Sequence, residues 1–161
     1  MPTIRPFLWF DSQAEEAVRF YVSLFPNSRI TGTVRYDAAS AAASGQPEGS
    51  VMTVAFELDG QAFMALNGGP VFKLTEAFSL VVDCRTQAEV DEFWEKLSAG
   101  GKTSRCGWLK DRYGVSWQVV PAVLPELLQD GDPDRRGRVM RALLEMDKLD
   151  IARLEQAAEG R

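Results

Sequence analysis

Histidine is absent from the 161 residues. That removes the commonest general base, the commonest transition-metal ligand and every Ser-His or Cys-His nucleophile pair. Zinc centres built on His are excluded, and two cysteines, Cys84 and Cys106, cannot close a thiolate site. Two cysteines do not make a disulfide framework either. Each lies beside strand-like residues, where a reduced Cys behaves as a small hydrophobe. A reactive thiol needs a nearby cation or a helix N-terminus, and Arg105 and Lys110 flank only Cys106.

Basic residues are also in short supply. Lys and Arg number 18 against 23 Asp and Glu, a net charge of −5, which is the wrong balance for a nucleic-acid partner. No apolar run approaches the ~18 residues that a membrane span requires. Residues 1–6 lead directly into Phe7-Leu8-Trp9-Phe10 and a charged helix. The apolar segment and cleavage site of a signal peptide are missing there, so the cytoplasm is the expected location.

The length suits one domain or two small modules sharing a core. Residues 106–121 are the most informative stretch and read as strand, tight turn, strand. The turn falls at 111–114, where Asp111 can accept from nearby backbone N–H groups and Gly114 supplies a positive φ. In the strand that follows, Val115, Trp117 and Val119 alternate with Ser116, Gln118 and Val120. An amide at the centre of a core strand needs a partner, because an unpaired buried polar group costs about 1–3 kcal/mol. Gln118 therefore closes a structural hydrogen bond or faces a wet cavity.

Taken in order, residues 4–10 suit a buried strand. Ser12-Gln13-Ala14-Glu15 reads as a capping box opening a helix whose face is Ala14, Ala17, Val18, Tyr21, Leu24 and Phe25. A half-exposed strand is expected over 29–37. Residues 38–49 are low in complexity and read as a loop or a lid. Strands over 50–58 and 61–67 are joined by Asp59-Gly60, the strongest hairpin signal in the chain. The order then repeats. An apolar strand over 78–83 precedes Thr86-Gln87-Ala88-Glu89, a second capping box, and a helix with Val90, Phe93, Trp94 and Leu97 on its buried face. Gly100-Gly101 ends that helix, and strands follow near 102–109 and 115–120. Two copies about 75 residues apart suggest an internally duplicated α+β domain. The tail from 125 is helical, with Asp132 as N-cap and Pro133 at the first helical position. It docks on its own domain or on a partner subunit.

Four segments carry a resemblance. They are Phe7-Leu8-Trp9-Phe10-Asp11-Ser12-Gln13-Ala14-Glu15-Glu16-Ala17-Val18-Arg19-Phe20-Tyr21, Leu66-Asn67-Gly68-Gly69-Pro70, Val82-Asp83-Cys84, and Cys106-Gly107-Trp108-Leu109-Lys110-Asp111 through Trp117-Gln118. With them the chain resembles the PhnB-like family, which often carries a demethylubiquinone methyltransferase label. That family sits in the vicinal oxygen chelate superfamily with glyoxalase I and the bleomycin-resistance proteins. The resemblance implies two βαβββ modules, about 1–70 and 71–124, whose mixed sheets curve into a cup, with a helical extension over 125–161. It commonly implies a homodimer. The superfamily's metal ligands would fall near Pro6, Ala65, Ala77 and Gln118, of which only Gln118 can coordinate, and poorly. The fold is thus expected without its metal, and no cofactor is expected. A nucleotide-type cofactor needs a Gly-rich turn before a helix N-terminus, and neither diglycine stands there.

The leading expectation is a homodimeric module that binds a small, partly apolar molecule. Trp9, Asn67, Cys106, Trp108, Ser116 and Gln118 are its candidate ligand-binding residues, giving apolar walls with a few placed polar groups. Aromatic strand residues fill cores more often than sites, and Asn67 serves equally as a turn residue. The alternatives are an enzyme whose acid–base work falls to Glu57, Asp111, Cys106, Tyr113 or a carboxylate-held metal, and an interaction module whose cavity is filled by side chains.

Overall fold

The computed structural model describes residues Met1–Arg161, and one order of elements occurs in it twice. The first pass runs β1 (Phe7–Phe10), α1 (Ala14–Leu24), β2 (Arg29–Arg35), α2 (Ala38–Ser44), β3 (Val51–Leu58) and β4 (Gln61–Asn67). The second runs β5 (Ser79–Cys84), α3 (Gln87–Ser98), β6 (Lys102–Thr103), β7 (Trp108–Lys110) and β8 (Ser116–Pro121). Three further helices follow, α4 (Leu124–Leu128), α5 (Pro133–Leu144) and α6 (Ile151–Glu159). The chain divides into two compact units, Met1–Leu74 and Thr75–Arg161.

Each unit holds one four-stranded mixed sheet, ordered β1-β4-β3-β2 in the first and β5-β8-β7-β6 in the second. The first strand pairs in parallel with the last, β1 with β4 and β5 with β8, and every other pairing is antiparallel. The duplicated βαβββ pattern expected from the sequence is therefore present, with α2 added to the first copy.

In the first unit, Leu8, Phe10, Val54, Phe56, Leu58, Phe63 and Ala65 are buried, and so are Ala14, Ala17, Val18 and Tyr21 of α1, which packs on β3 and β4. Strand alternation puts all of these sheet residues on the helix side. Asp59 and Gly60 turn the β3–β4 hairpin at φ of 48° and 77°. Positive φ at both central residues matches the twist of the flanking strands.

Three local expectations are corrected. The Ser12 box does not cap α1. The helix starts one residue later with Gln13 as N-cap, and the Ala14 N–H donates to Asn67 Oδ1 at 2.8 Å. Residues 38–44 form α2 rather than loop, because Asp37 and Ser40 make a reciprocal capping box and Gly45 ends the helix in a left-handed conformation. β2 is exposed along its whole length; it is an edge strand, and its pairing with β3 is broken by two register shifts.

In the second unit, Thr86 does cap α3, accepting from the Glu89 N–H at 3.2 Å. The Glu89 carboxylate reaches back one residue further than expected, to the Arg85 N–H at 2.7 Å. α3 packs on β5, β7 and β8. The tail docks within this unit. Val139, Leu143, Met146, Leu149, Leu154 and Ala158 bury a common cluster with Leu124, and Cys106 and Val120 pack against it. Met140 and Leu144 of α5 are exposed.

Candidate functional site

The turn at 111–114 is built around one carboxylate. Asp111 is only 3% exposed. Its Oδ1 accepts from the N–H groups of Tyr113 at 2.8 Å and Val115 at 3.0 Å, and its Oδ2 accepts from Trp117 Nε1 at 2.9 Å. Those bonds fix the β7–β8 hairpin and aim Trp117 away from solvent. Val115, Trp117 and Val119 are buried as the alternation predicts.

Ser116, Gln118 and Val120 take the other face of β8. Gln118 is half-buried, and its Nε2 donates to Ser79 Oγ on β5 at 3.0 Å. Ser116 is buried, and its Oγ makes no hydrogen bond. Register places Trp108 beside Gln118, and Lys110 and Ser79 beside Ser116. Trp108 and Lys110 therefore share the face of Gln118 and Ser116.

A groove of about 610 Å³ opens beside this face, lined by Glu76, residues 102–106, and Trp108, Leu109 and Lys110. Its rim is the 104–107 turn, closed by Ser104 N–H donating to Trp108 O at 2.8 Å and Trp108 N–H to Arg105 O at 3.1 Å. At the tip, Cys106 and Gly107 hold φ of 60° and 83°. A Cβ on Gly107 would stand 2.7 Å from Val119 O and 3.1 Å from Leu149 Cδ1, so only glycine fits between β8 and the tail. The Cys106 and Gly107 N–H groups donate to Met146 O and Asp147 O, both at 2.8 Å, and Cys106 Sγ lies 3.6 Å from Leu143 O. In the groove, Lys110 pairs with Glu76. That hydrogen bond, with the charges of Lys110 and Lys102, holds the Glu76 carboxyl below the usual range.

The structure thus brings Cys106 and Trp108 together in one groove, with Ser116 and Gln118 on the adjoining strand. Trp9 and Asn67 belong to the other unit. Trp9 Nε1 donates to Gly69 O at 2.9 Å, and its ring meets Phe72 edge-on at 5.0 Å. Asn67 uses Oδ1 to cap α1 and Nδ2 to donate to Val51 O at 3.1 Å, while its carbonyl accepts from Tyr36 OH at 2.6 Å. It ties β4 to β3, α1 and Tyr36. Cys84 is buried on β5, and burial, with Glu89 and Asp83 adding to it, pushes its thiol up to about 11. The groove residues that sequence reasoning missed are Lys102, Lys110 and the partner of Lys110, Glu76. The available signal was a run of three cations without an acid, 102–110, in a chain of net charge −5.

The superfamily's divalent metal does not fit these residues. Ala65 is fully buried and has no donor atom, Gln118 offers a single amide oxygen, and no three Cys, Asp or Glu side chains converge on a point that could hold an ion. A nucleotide-type cofactor finds no cradle. Gly68 lies against the Trp9 ring, where a Cβ would stand 2.2 Å from it, and Gly100 follows α3 instead of preceding a helix.

The model of the 3-demethylubiquinone-9 3-methyltransferase family matches residues 2–120. Among solved structures, a PhnB protein from Bacillus cereus is 38% identical; the match covers 75% of this chain and 100% of that one, with a TM-score of 0.67. Protein PA1353 from Pseudomonas aeruginosa is 20% identical over 75% of this chain and 98% of its own, with a TM-score of 0.60. The fosfomycin resistance protein FosX from Listeria monocytogenes, solved with Mn(II) and sulfate, is 14% identical over 80% and 95%, with a TM-score of 0.54. The last two show likeness of fold. No curated protein matches the chain.

Proposed function

The chain belongs to the family described as 3-demethylubiquinone-9 3-methyltransferase, a PhnB-like branch of the vicinal oxygen chelate superfamily, and on that basis we propose a cytoplasmic protein that binds a small molecule without metal. The observation that carries this reading is the groove of about 610 Å³ with Trp108 and Cys106 in its walls and polar side chains at its rim. Its volume falls within the ~300–1,000 Å³ of small-molecule sites, and apolar walls with a few polar groups are their usual make-up. FosX was solved with Mn(II). The positions near which the resemblance puts the superfamily's metal ligands hold Pro6, Ala65 and Ala77 here, none of which can coordinate. Methyl transfer likewise lacks a cofactor cradle.

The functional form in this reading is a homodimer. Register puts Phe7, Trp9, Met64, Leu66 and Val34 on the open face of the first sheet, opposite α1. Phe7 and Val34 are 55% and 52% exposed there. Exposed apolar side chains on a sheet face are covered most commonly by twofold assembly. Native mass spectrometry after incubation with a metabolite extract tests both parts. We expect twice the chain mass, carrying a small-molecule adduct that Trp108→Ala loses. Bare spectra for both proteins would sink the binding reading, and a monomer mass at ~10 µM would sink the dimer.

A further inference from the structure

Three cations and one carboxylate line the groove: Lys102, Arg105, Lys110 and Glu76. Lys110 and Glu76 neutralise each other across it. Lys102 and Arg105, both exposed, remain on the β6 side of Trp108. Arg105 is only loosely held, by Asp147 at 3.8 Å and Leu144 O at 3.5 Å, and both side chains of the ion pair are well exposed. Exposed pairs of that geometry are weak, so a better-placed anion can take the guanidinium. The chain as a whole is acidic, which makes this local excess of positive charge a feature of the groove and not of the surface at large.

We infer that the groove selects an organic anion, a carboxylate, sulfonate or phosphonate on a flat apolar body, with Lys102 and Arg105 on the charge and Trp108 against the body. The inference rests on the groove being the binding site. It also assigns a part to the C-terminal extension, which lies outside the 2–120 match to the family. Segment 143–147 supplies the carbonyls that hold Cys106 and Gly107, and the Asp147 carboxylate that competes for Arg105. Asp147 thereby holds Arg105 back from the ligand.

The test uses the full-length protein and two fluorescent probes with one ring system, anionic 1-anilinonaphthalene-8-sulfonate and neutral N-phenyl-1-naphthylamine. The sulfonate is expected to bind about tenfold more tightly than the neutral probe at low salt, with the difference collapsing at about 0.5 M salt. K102Q/R105Q should abolish the preference and leave the neutral probe's affinity unchanged. Asp147→Asn should tighten the sulfonate about two- to threefold by releasing Arg105, an effect that a merely structural aspartate would not give. Equal affinities in the wild type, no sulfonate binding at all, or a preference that survives K102Q/R105Q would overturn the anion assignment. Trp108→Ala distinguishes the two readings, because binding of both probes that ignores it would place them elsewhere and overturn the groove itself.

Discussion

A single buried carboxylate, Asp111, meets three donors: two backbone N–H groups of its own turn and the indole of Trp117. The first two were legible in the sequence, since Asp at the head of a turn that ends in Gly accepts locally. The third was not, because it depends on which way a side chain six residues later leans once the strand is packed. The arrangement makes the residue architectural. Asp111→Ala strands buried donors at about 1–3 kcal/mol each, so a loss near 3 kcal/mol or more is expected. Asp111→Asn keeps one acceptor oxygen for the turn and sets an amide against the indole N–H, at about 1–2 kcal/mol. Urea unfolding of the pair measures the difference. An Asp111→Asn variant as stable as the wild type would mean that the Trp117 bond contributes nothing.

Two near-identical capping boxes come to different ends at the level of elements. Thr86 caps α3 by the local route, while α1 is capped from the end of β4 by Asn67. The sequence shows the same chemistry at both sites, and tertiary placement of an amide 53 residues away decides the first one. The Asp59-Gly60 hairpin, by contrast, is a purely local signal and was read correctly. α2 escaped because its alanines bury nothing; only the Asp37–Ser40 pair announces it. Expected stability losses follow the observed caps. Thr86→Ala should cost about 1 kcal/mol and Ser12→Ala less than about 0.5 kcal/mol. Asn67→Ala, losing a cap and a buried bond to Val51, should cost about 2–4 kcal/mol. Thermal unfolding of the three variants ranks them, and a Ser12 effect as large as that of Thr86 would contradict the cap assignment.

At the scale of the molecule, the helical periodicity of the tail was plain in the sequence but its destination was not, since an apolar helix face does not say what covers it. In the structure that face is buried inside the second unit, and the anchors are specific. Gln87 of α3 donates to Leu149 O at 3.0 Å and accepts from the Ile151 N–H at 2.9 Å, and Arg138 donates to the carbonyls of Ala157 and Ala158 at 2.8 Å each. Leu154 is fully buried in the shared cluster, so Leu154→Ala should cost about 2–5 kcal/mol, borne first by the tail. Undocking would release the Cys106–Met146 bond and bare the Cys106 thiol at the groove rim. Cys84 serves as the internal control. Folding raises its pKa from 9.0 to about 11, so this thiol costs the fold nothing below pH 9 and lowers its stability as pH rises from 9 to 11. At pH 8 the folded state therefore keeps Cys84 protonated as well as buried. Labelling Leu154→Ala with a disulfide reagent at pH 8 should accelerate modification of Cys106 alone. Parallel acceleration at Cys84 would mean that the whole unit opens and that the tail is no separable element.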